Sequence, residues 1–301
     1  MMKMIKNVFM AVFSLLILAS CSNDDDSVEV TPPRDRGEVE LESQANLKAY
    51  LSTHFYNYEE FEAEDEGFDY KIVFDTISGD NADKTPLLSQ VIEEKFTYQE
   101  TEYTLYSLIA RQGAGIKPTF ADSTYVNYQG SVVGGAKFDS STTPIWFDLT
   151  QVVFGFANGL SNLKAGTMAT ENADGSVTFG NDYGIGAVFI PSGLGYFNSS
   201  GSGFSSYSDL VFTFDLYRAV ADTDDDNDGV PNWKEDINGN KFLNEVADDT
   251  DGDNIPDFLD TDDDGDGTLT RDEIVINADG TVTYTDSNND GTPDYLDPDV
   301  N

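Results

Sequence analysis

An α+β domain, an antiparallel sheet wrapped around one short helix with a helical extension before it and a repeat tail of acidic loops after it, is the fold class that the sequence predicts. Three observations carry that expectation. The stretch "LVFTFDLYRA" (210–219) alternates Leu210, Phe212, Phe214 and Leu216 against Val211, Thr213, Asp215 and Tyr217, as a strand with one face in a core does. The period lengthens once, in "TQVVFGFANGLSNLKAG" (150–166), where Val153, Phe156, Leu160 and Leu163 recur at helical spacing and Gly166 follows Lys164 as a stop signal. After Ala221 the composition changes altogether: 26 acidic residues face three basic ones, large apolar groups become scarce, and one short phrase recurs.

The elements follow in order. Residues 1–20, "MMKMIKNVFMAVFSLLILAS", place Lys3 and Lys6 ahead of an apolar run that ends in small residues just before Cys21, the pattern of a secretory signal. The run is too short, and too soon followed by "SNDDDS", for a spanning helix of about 20 apolar residues. Residues 21–38 read as a flexible acidic tether. Residues 39–100 form an extension: a helix over 39–60 from the spacing of Leu41, Ala45 and Ala49, a strand over 70–77 ("YKIVFDTI"), then a polar loop. His54, the sole histidine, has no second histidine or cysteine with which to share a metal, so it reads as a packing or surface residue. The main domain spans 101–220, with strands in "EYTLYSLIARQG" (102–113) and "STYVNYQG" (123–130), the short helix, then strand and turn in "GAVFIPSGLGY" (186–196) and the final strand from 210. The insert 171–186, "ENADGSVTFGNDYGIG", is a surface excursion or a hairpin near the rim.

Charge bounds the partners. With 56 Asp and Glu against 16 Lys and Arg, the formal charge of −40 argues against nucleic acid and favours cations. One cysteine excludes an internal disulfide framework. Leu18, Ala19, Ser20 and Cys21 resemble the lipobox of bacterial lipoproteins, which implies cleavage before Cys21, its acylation, and attachment to a membrane through lipid. The acids after Cys21 are similar to the export tether of outer-membrane lipoproteins in the Bacteroidota. That implies a place in the cell envelope at the outer membrane, with the periplasmic and surface faces both open.

"VNYQGSVVGGAKFDSS" (126–141), "TPIWFDLTQVVFGFANGLSNLKAG" (143–166), "FIPSGLGY" (189–196) and "LVFTFDL" (210–216) are similar in order and spacing to the FK506-binding-protein (FKBP) family of peptidyl-prolyl isomerases. The resemblance covers about 101–220 and implies a half-barrel antiparallel sheet around one helix. It also implies a proline pocket lined by Tyr128, Phe138, Asp139, Val152, Val153, Phe156, Tyr196 and Phe212, with proline-containing polypeptides as clients and no cofactor for catalysis. In the family's arrangement the Val152 N–H binds a ligand carbonyl, Phe156 is the floor, and Asp139 and the Tyr196 hydroxyl are polar contacts. The chain departs from the family pattern at four places: Phe156 where tryptophan is common, Ile145 where an aromatic is common, Phe197 where glycine is usual, and a loop 198–208 without paired prolines, whose Phe204 is placed to cap the site. Two functions stay open, an isomerase and a non-catalytic module that grips proline-containing segments.

The tail repeats at steps of 12 or 13 residues from Asp224, Asp236, Asp249 and Asp262, with a last loop from Asp286. In "DDDGDGTLTRDE" (262–273), Asp262, Asp264 and Asp266 fill positions one, three and five, Gly267 is sixth, Thr268 offers its carbonyl, and Glu273 is twelfth. That is the oxygen cage of a calcium loop, and hard carboxylates without His or Cys argue against zinc or copper. Asp224, Asp226, Asp228 and Glu235 repeat it with Gly229, as do Asp249, Asp251, Asp253 and Asp260 with Asn254, and Asp286, Asn288, Asp290 and Asp297 with Gly291. The loop at Asp236 has Lys241 sixth and no acid twelfth, so it reads as degenerate. Pro231, Pro256 and Pro293 stand at position eight, and flanking helices are missing, which resembles thrombospondin type 3 and bacterial calcium repeats. Several structural Ca²⁺ ions are the expected cofactor of residues 221–301.

Overall fold

A computed structural model describes residues 32–63, 65–167, 169–174 and 177–300. The expected signal segment and Cys21 lie outside the described residues, among which no helix is long and apolar enough to cross a membrane. The chain enters through α1 (Arg36–Thr53), whose first turn is capped by the Asp35 carboxylate accepting from the Glu38 N–H at 2.9 Å. Residues 36–38 are therefore helical, not tether. Val39, Ser43, Leu47 and Leu51 recur every fourth position and form the buried stripe of α1. The helix ends at Thr53, well short of the expected 60, because the β-branched and aromatic run Thr53–Tyr56 prefers extended backbone. That run forms β1 (His54–Tyr56), followed by α2 (Tyr58–Ala63). Only Phe74–Thr76 of the expected strand 70–77 is a strand, β2, since its sole partner is the three-residue β1, and Tyr70 turns away at φ 56°.

The main sheet has seven strands: β3 (Val91–Tyr98), β4 (Thr101–Arg111), β5 (Ser123–Val132), β6 (Lys137–Ser140), β7 (Ile145–Asp148), β10 (Gly184–Ile190) and β11 (Leu210–Val220). Its order is β3-β4-β10-β11-β5-β6, with β7 also pairing β5, and every pairing is antiparallel. The sheet begins at Val91, inside what the sequence suggested was a polar loop. Between β7 and β10 lie α3 (Phe154–Leu160) and a hairpin of β8 (Ala169–Glu171) and β9 (Val177–Phe179), so the insert takes the hairpin option.

Helix α3 lies on β10 at a distance only glycine allows. A Cβ on Gly155 would meet Ile190 Cγ2 at 2.4 Å, and one on Gly159 would meet Val188 Cγ2 at 2.3 Å. Around this contact Phe156, Leu160, Val188, Ile190, Leu210, Phe212, Phe214 and Leu216 form the main core. The opposite face of the sheet is covered as well: Leu47 and Leu51 of α1 pack with Tyr106, Leu108, Ile185, Ala187, Phe189 and Val211. All seven residues of β10 are consequently buried.

The tail folds back onto this body instead of extending from it. Leu243 and Phe258 cluster with Phe120, Ala121 and Trp233, and the Phe242 ring lies 5.1 Å from Tyr98 and 6.2 Å from Phe154. Pro231, Pro256 and Pro293 each precede a one-turn 3₁₀ helix, at Asn232–Lys234, Asp257–Leu259 and Asp294–Leu296, which accounts for proline at position eight. A hairpin of β12 (Ile274–Ile276) and β13 (Val282–Tyr284) fills the longer step before the last loop.

Candidate functional site: an aromatic cleft and an acidic winding

The cleft is assembled from four elements. Strand β5 supplies Tyr128, β6 supplies Phe138 and Asp139, α3 supplies Phe156, and β11 supplies Phe212. Phe156 is only 3% exposed and its ring stands 5.2 Å from Phe212, 4.8 Å from Phe214, 5.3 Å from Phe147 and 6.0 Å from Tyr128, so it forms the floor on which the other rings close. Phe138 meets Phe212 edge-on at 5.7 Å. Phe147, which the sequence analysis did not single out, belongs here; its place on β7, next but one to Ile145, was the available signal.

Polar groups line one side. The Tyr128 hydroxyl donates to Asp139 Oδ2 at 2.6 Å, and burial followed by this bond pushes the phenol pKa up, which keeps it a neutral donor. Burial and the Asp139 charge also raise Tyr196, which stands half-exposed at the rim. Val152 and Val153 connect the one-turn helix Leu149–Gln151 to α3, with Val153 as its N-cap residue. Val152 is the C-cap residue of the one-turn helix and has extended backbone, φ −110° and ψ 168°. The rim is capped by Phe204, stacked on Tyr196 at 4.7 Å and 19° and lying 5.0 Å from Phe138. The structure thus brings Tyr128, Phe138, Asp139, Phe156, Tyr196 and Phe212 together, and Val152 and Val153 pack against the same core.

The rim loop is held from outside. Phe197 and Tyr207 sit at φ 47° and φ 62°, left-handed values that cost aromatic residues energy, and they are joined by the Tyr207 N–H donating to the Phe197 carbonyl at 2.6 Å. The start of α1 covers both. Arg36 lies over the Phe197 ring at 4.1 Å and donates to the Gly193 carbonyl and the Tyr103 hydroxyl at 3.2 Å each, while Arg34 lies over the Tyr207 ring at 5.5 Å.

The five acidic loops share one backbone. Position four is left-handed in each (Asn227, Gly239, Gly252, Gly265, Asn289), and so is position six (Gly229, Lys241, Asn254, Gly267, Gly291). In each, the position-six N–H donates to the position-one carboxylate, at 3.0 Å for Gly229 to Asp224 and 2.9 Å for Lys241 to Asp236. The loop with Lys241 is therefore degenerate in donors only, and Asp248, fully buried, stands against its Ile237 N–H at 2.8 Å.

Among the described residues carboxylates converge in three groups: Asp249, Asp251 and Asp253; Asp262, Asp264 and Asp266; and Asp226, Asp228, Glu235 and Asp263. Oxygens of Asp264, Asp266 and Glu273 are buried without a hydrogen-bond donor, as are those of the third group. Burial, then repulsion by Asp263 and Asp228, pushes Glu235 up to about 11, and burial with neighbouring carboxylates lifts Glu273 to about 7. Orphaned, mutually repelling oxygens without nitrogen or sulfur neighbours fit a hard divalent cation. Asp224 and Asp260 stand outside these groups, Asp224 accepting from the Asn227 and Gly229 N–H and Asp260 from the Asp262 N–H at 3.0 Å. Thr268 donates its N–H to Asp266 at 2.6 Å. In the last loop the Asn288 amide reaches Asp290 and Asp297, and Asp286 caps Gly291, so these four form a hydrogen-bonded set instead of an open cage.

The cleft is thus carried by an antiparallel half-barrel on one helix, with an aromatic floor and a tyrosine–aspartate pair at its wall. Residues 115–217 match the sequence profile of the family described as FKBP-type peptidyl-prolyl cis-trans isomerase, and that part of the chain is such a domain. Residues 225–285 match a second profile, described as BamM C-terminal. The chain is 33% identical over 111 residues to a probable FKBP-type isomerase FkpA of Neisseria meningitidis, covering 36% of this chain and 34% of that protein. It is 26% identical over 195 residues to FkpA of Escherichia coli K12, covering 64% of this chain and 56% of that protein. It therefore spans between a third and somewhat over half of the length of these relatives. The crystal structure of Escherichia coli FkpA superposes with a TM-score of 0.34 at 22% identity, covering 60% of this chain and 62% of that one. A Pseudomonas syringae isomerase gives a TM-score of 0.33 at 21% identity, covering 59% of this chain and 95% of that one.

Proposed function

We propose that the whole chain is a prolyl isomerase of the bacterial cell envelope, tethered through lipid on Cys21, that acts on Xaa-Pro bonds of polypeptide clients and carries a calcium-stiffened tail. The observation that carries the reading is the cleft: a floor of Phe156 under a ring of Tyr128, Phe138, Phe147 and Phe212, with polar groups on one side only. Rotation about an Xaa-Pro bond must break amide resonance, a barrier of about 18–20 kcal/mol. The twisted amide has less charge separation than the planar one, so an oily, water-poor surround favours it over the ground state. Phe156 and Phe212 offer that surround to the pyrrolidine, the Val152 N–H offers a donor to a client carbonyl, and Asp139, held by Tyr128, fixes the polar wall. No proton transfer and no covalent step is required.

The tail reading rests on the buried, donorless carboxylate oxygens of the first and fourth loops and on the clustered carboxylates of the third, which calcium would neutralise. A second reading, a module that grips proline-containing segments without turning them over, is favoured by Phe204 lying across Tyr196 and Phe138 at the rim. Isomerisation of a proline tetrapeptide separates the two. Turnover above the uncatalysed rate, reduced in Asp139→Ala and in Tyr196→Phe, is expected of the enzyme; a wild-type rate equal to buffer, with the peptide still bound, leaves the module.

A further inference from the structure

We infer that the first and fourth loops of the tail share one buried calcium ion, with Asp263 of the fourth closing a cage begun by Asp226, Asp228 and Glu235 of the first. The inference deepens the calcium reading of the tail and rests on it. The local pattern assigns the first loop its own set, Asp224, Asp226, Asp228 and Glu235, and gives Asp263 no role. The structure draws a different set: ligand oxygens of Asp226, Asp228, Glu235 and Asp263 lie within 4.8 Å of one another. Asp224 is not among them, and its two carboxylate oxygens already accept from the Asn227 N–H at 2.7 Å and the Gly229 N–H at 3.0 Å.

Three facts single out Asp263. It is 1% exposed, as is Glu235, and neither oxygen of either carboxylate has a hydrogen-bond donor. It occupies position two of its loop, a position that turns away from the loop's own cage. The side chains at the same position of the first and third loops are paired inside their own loops: Asp225 Oδ2 accepts from the Asn232 amide at 2.8 Å, and the Thr250 hydroxyl donates to Asp257 at 2.8 Å. Asp263 keeps the shared backbone contact, its N–H donating to Thr270 Oγ1 at 3.2 Å, and directs its carboxylate at the first loop instead. Among the described residues no ion pair reaches an acid of the tail, so no lysine or arginine supplies the missing charge.

Six oxygens of these four carboxylates, one each from Asp226 and Asp228 and both from Glu235 and Asp263, are buried without a donor, and they repel one another strongly unless a cation joins them. All donors are hard oxygens set by two separate loops, an irregular cage that suits calcium, which accepts six to eight oxygens at about 2.3–2.6 Å, better than the strict octahedron of magnesium. Such an ion staples the first loop to the fourth, and the chain between them carries Leu243 and Phe258, the residues that dock the tail on Phe120 and Ala121.

Calorimetric titration of calcium chloride into the chelator-stripped full chain tests this, with Asp263→Asn, Glu235→Gln, their double variant, and Asp225→Asn as the position-two control. Each single variant should lose one ion, or bind it about 10–100-fold more weakly. The double should lose no more than that one, and Asp225→Asn should lose none. Thermal unfolding gives an independent sign: Asp263→Asn should melt above wild type in chelator, where a repelling charge has gone, and below it in about 5 mM calcium, above the usual range of extracellular sites. Wild-type binding with Asp263→Asn unchanged, loss of two ions in the double, or a raised melting point under both conditions overturns the shared site. If the wild-type chain takes up no calcium, it is the calcium reading of the whole tail that fails.

Discussion

Removing the Arg36 guanidinium should loosen the pocket rim without touching the pocket. In Arg36→Ala the ring contact to Phe197 at 4.1 Å disappears, together with the bonds to the Gly193 carbonyl and the Tyr103 hydroxyl. A cation–π contact of about 0.5–1 kcal/mol and two long, part-buried hydrogen bonds of about 0.5–1 kcal/mol each amount to about 2–3 kcal/mol. Against this stands the left-handed backbone of Phe197, which costs about 1–2 kcal/mol in a residue with a Cβ. The terms are comparable, so without Arg36 the loop has reason to relax, and Tyr196, the next residue back, moves with it. A shift of about 1–2 kcal/mol in client binding corresponds to a KM roughly five- to thirtyfold higher, with kcat little changed because Phe156 and Asp139 stay in place. Phe197→Gly removes the strain that Arg36 restrains, so the double variant should regain much of the lost affinity, a coupling of about 1–2 kcal/mol in the cycle. Isomerase kinetics and urea unfolding on the four proteins decide it. A KM unchanged in Arg36→Ala despite lower stability, or strictly additive effects in the double, would show that the arginine holds the helix and not the rim.

Three further outcomes are expected of the same molecule. Glu40 is buried and its pKa is raised from 4.5 to about 7, chiefly by desolvation, so the folded state holds a proton that the unfolded state releases. Stability should therefore fall as pH rises from about 4.5 to 7, and Glu40→Gln should flatten that slope by on the order of 2 kcal/mol in unfolding measured at pH 5 and pH 8. Gly159→Ala drives a Cβ to 2.3 Å from Val188 and should destabilise the domain by about 1–3 kcal/mol in thermal unfolding, with the circular dichroism spectrum retained. Phe258→Ala empties the 1%-exposed anchor of the tail, at a cost of about 3–5 kcal/mol, and limited proteolysis should then cut within 222–300 before it cuts the sheet.

What the sequence disclosed, and what it hid, divides along contact range. Strand β11 and helix α3 were legible because Phe212, Phe214, Phe156 and Leu160 repeat at the period of their element, whereas the cleft residues were implied only by the resemblance to the FKBP family. Strand β3 was hidden because it lies at the edge of the sheet and pairs only with β4. Its charged run Glu93, Glu94 and Lys95 broke the apolar alternation and made "VIEEKFTY" read as loop. The end of α1 was misplaced because Phe55 continues the helical spacing while the run Thr53–Tyr56 favours a strand, and pairing with Phe74–Thr76 settles the matter. The rim clamp and the role of Asp263 depend on elements far apart in the chain, Arg36 against Phe197 and the fourth loop against the first, and no local pattern records such meetings.

The hairpin of β12 and β13 shows how the tail tolerates extra length. The chain leaves the winding at Ile274 and returns opposite it at Tyr284, and the Thr285 hydroxyl closes the neck on the Glu273 carbonyl at 2.5 Å. Everything beyond the neck, out to the tight bend at Asn277–Thr281, is a detour that restores the coil to the phase at which it was interrupted. An engineer seeking a place for a fluorophore or an affinity peptide would choose that bend, where an insertion lengthens the spur and leaves the spiral turns on either side in step.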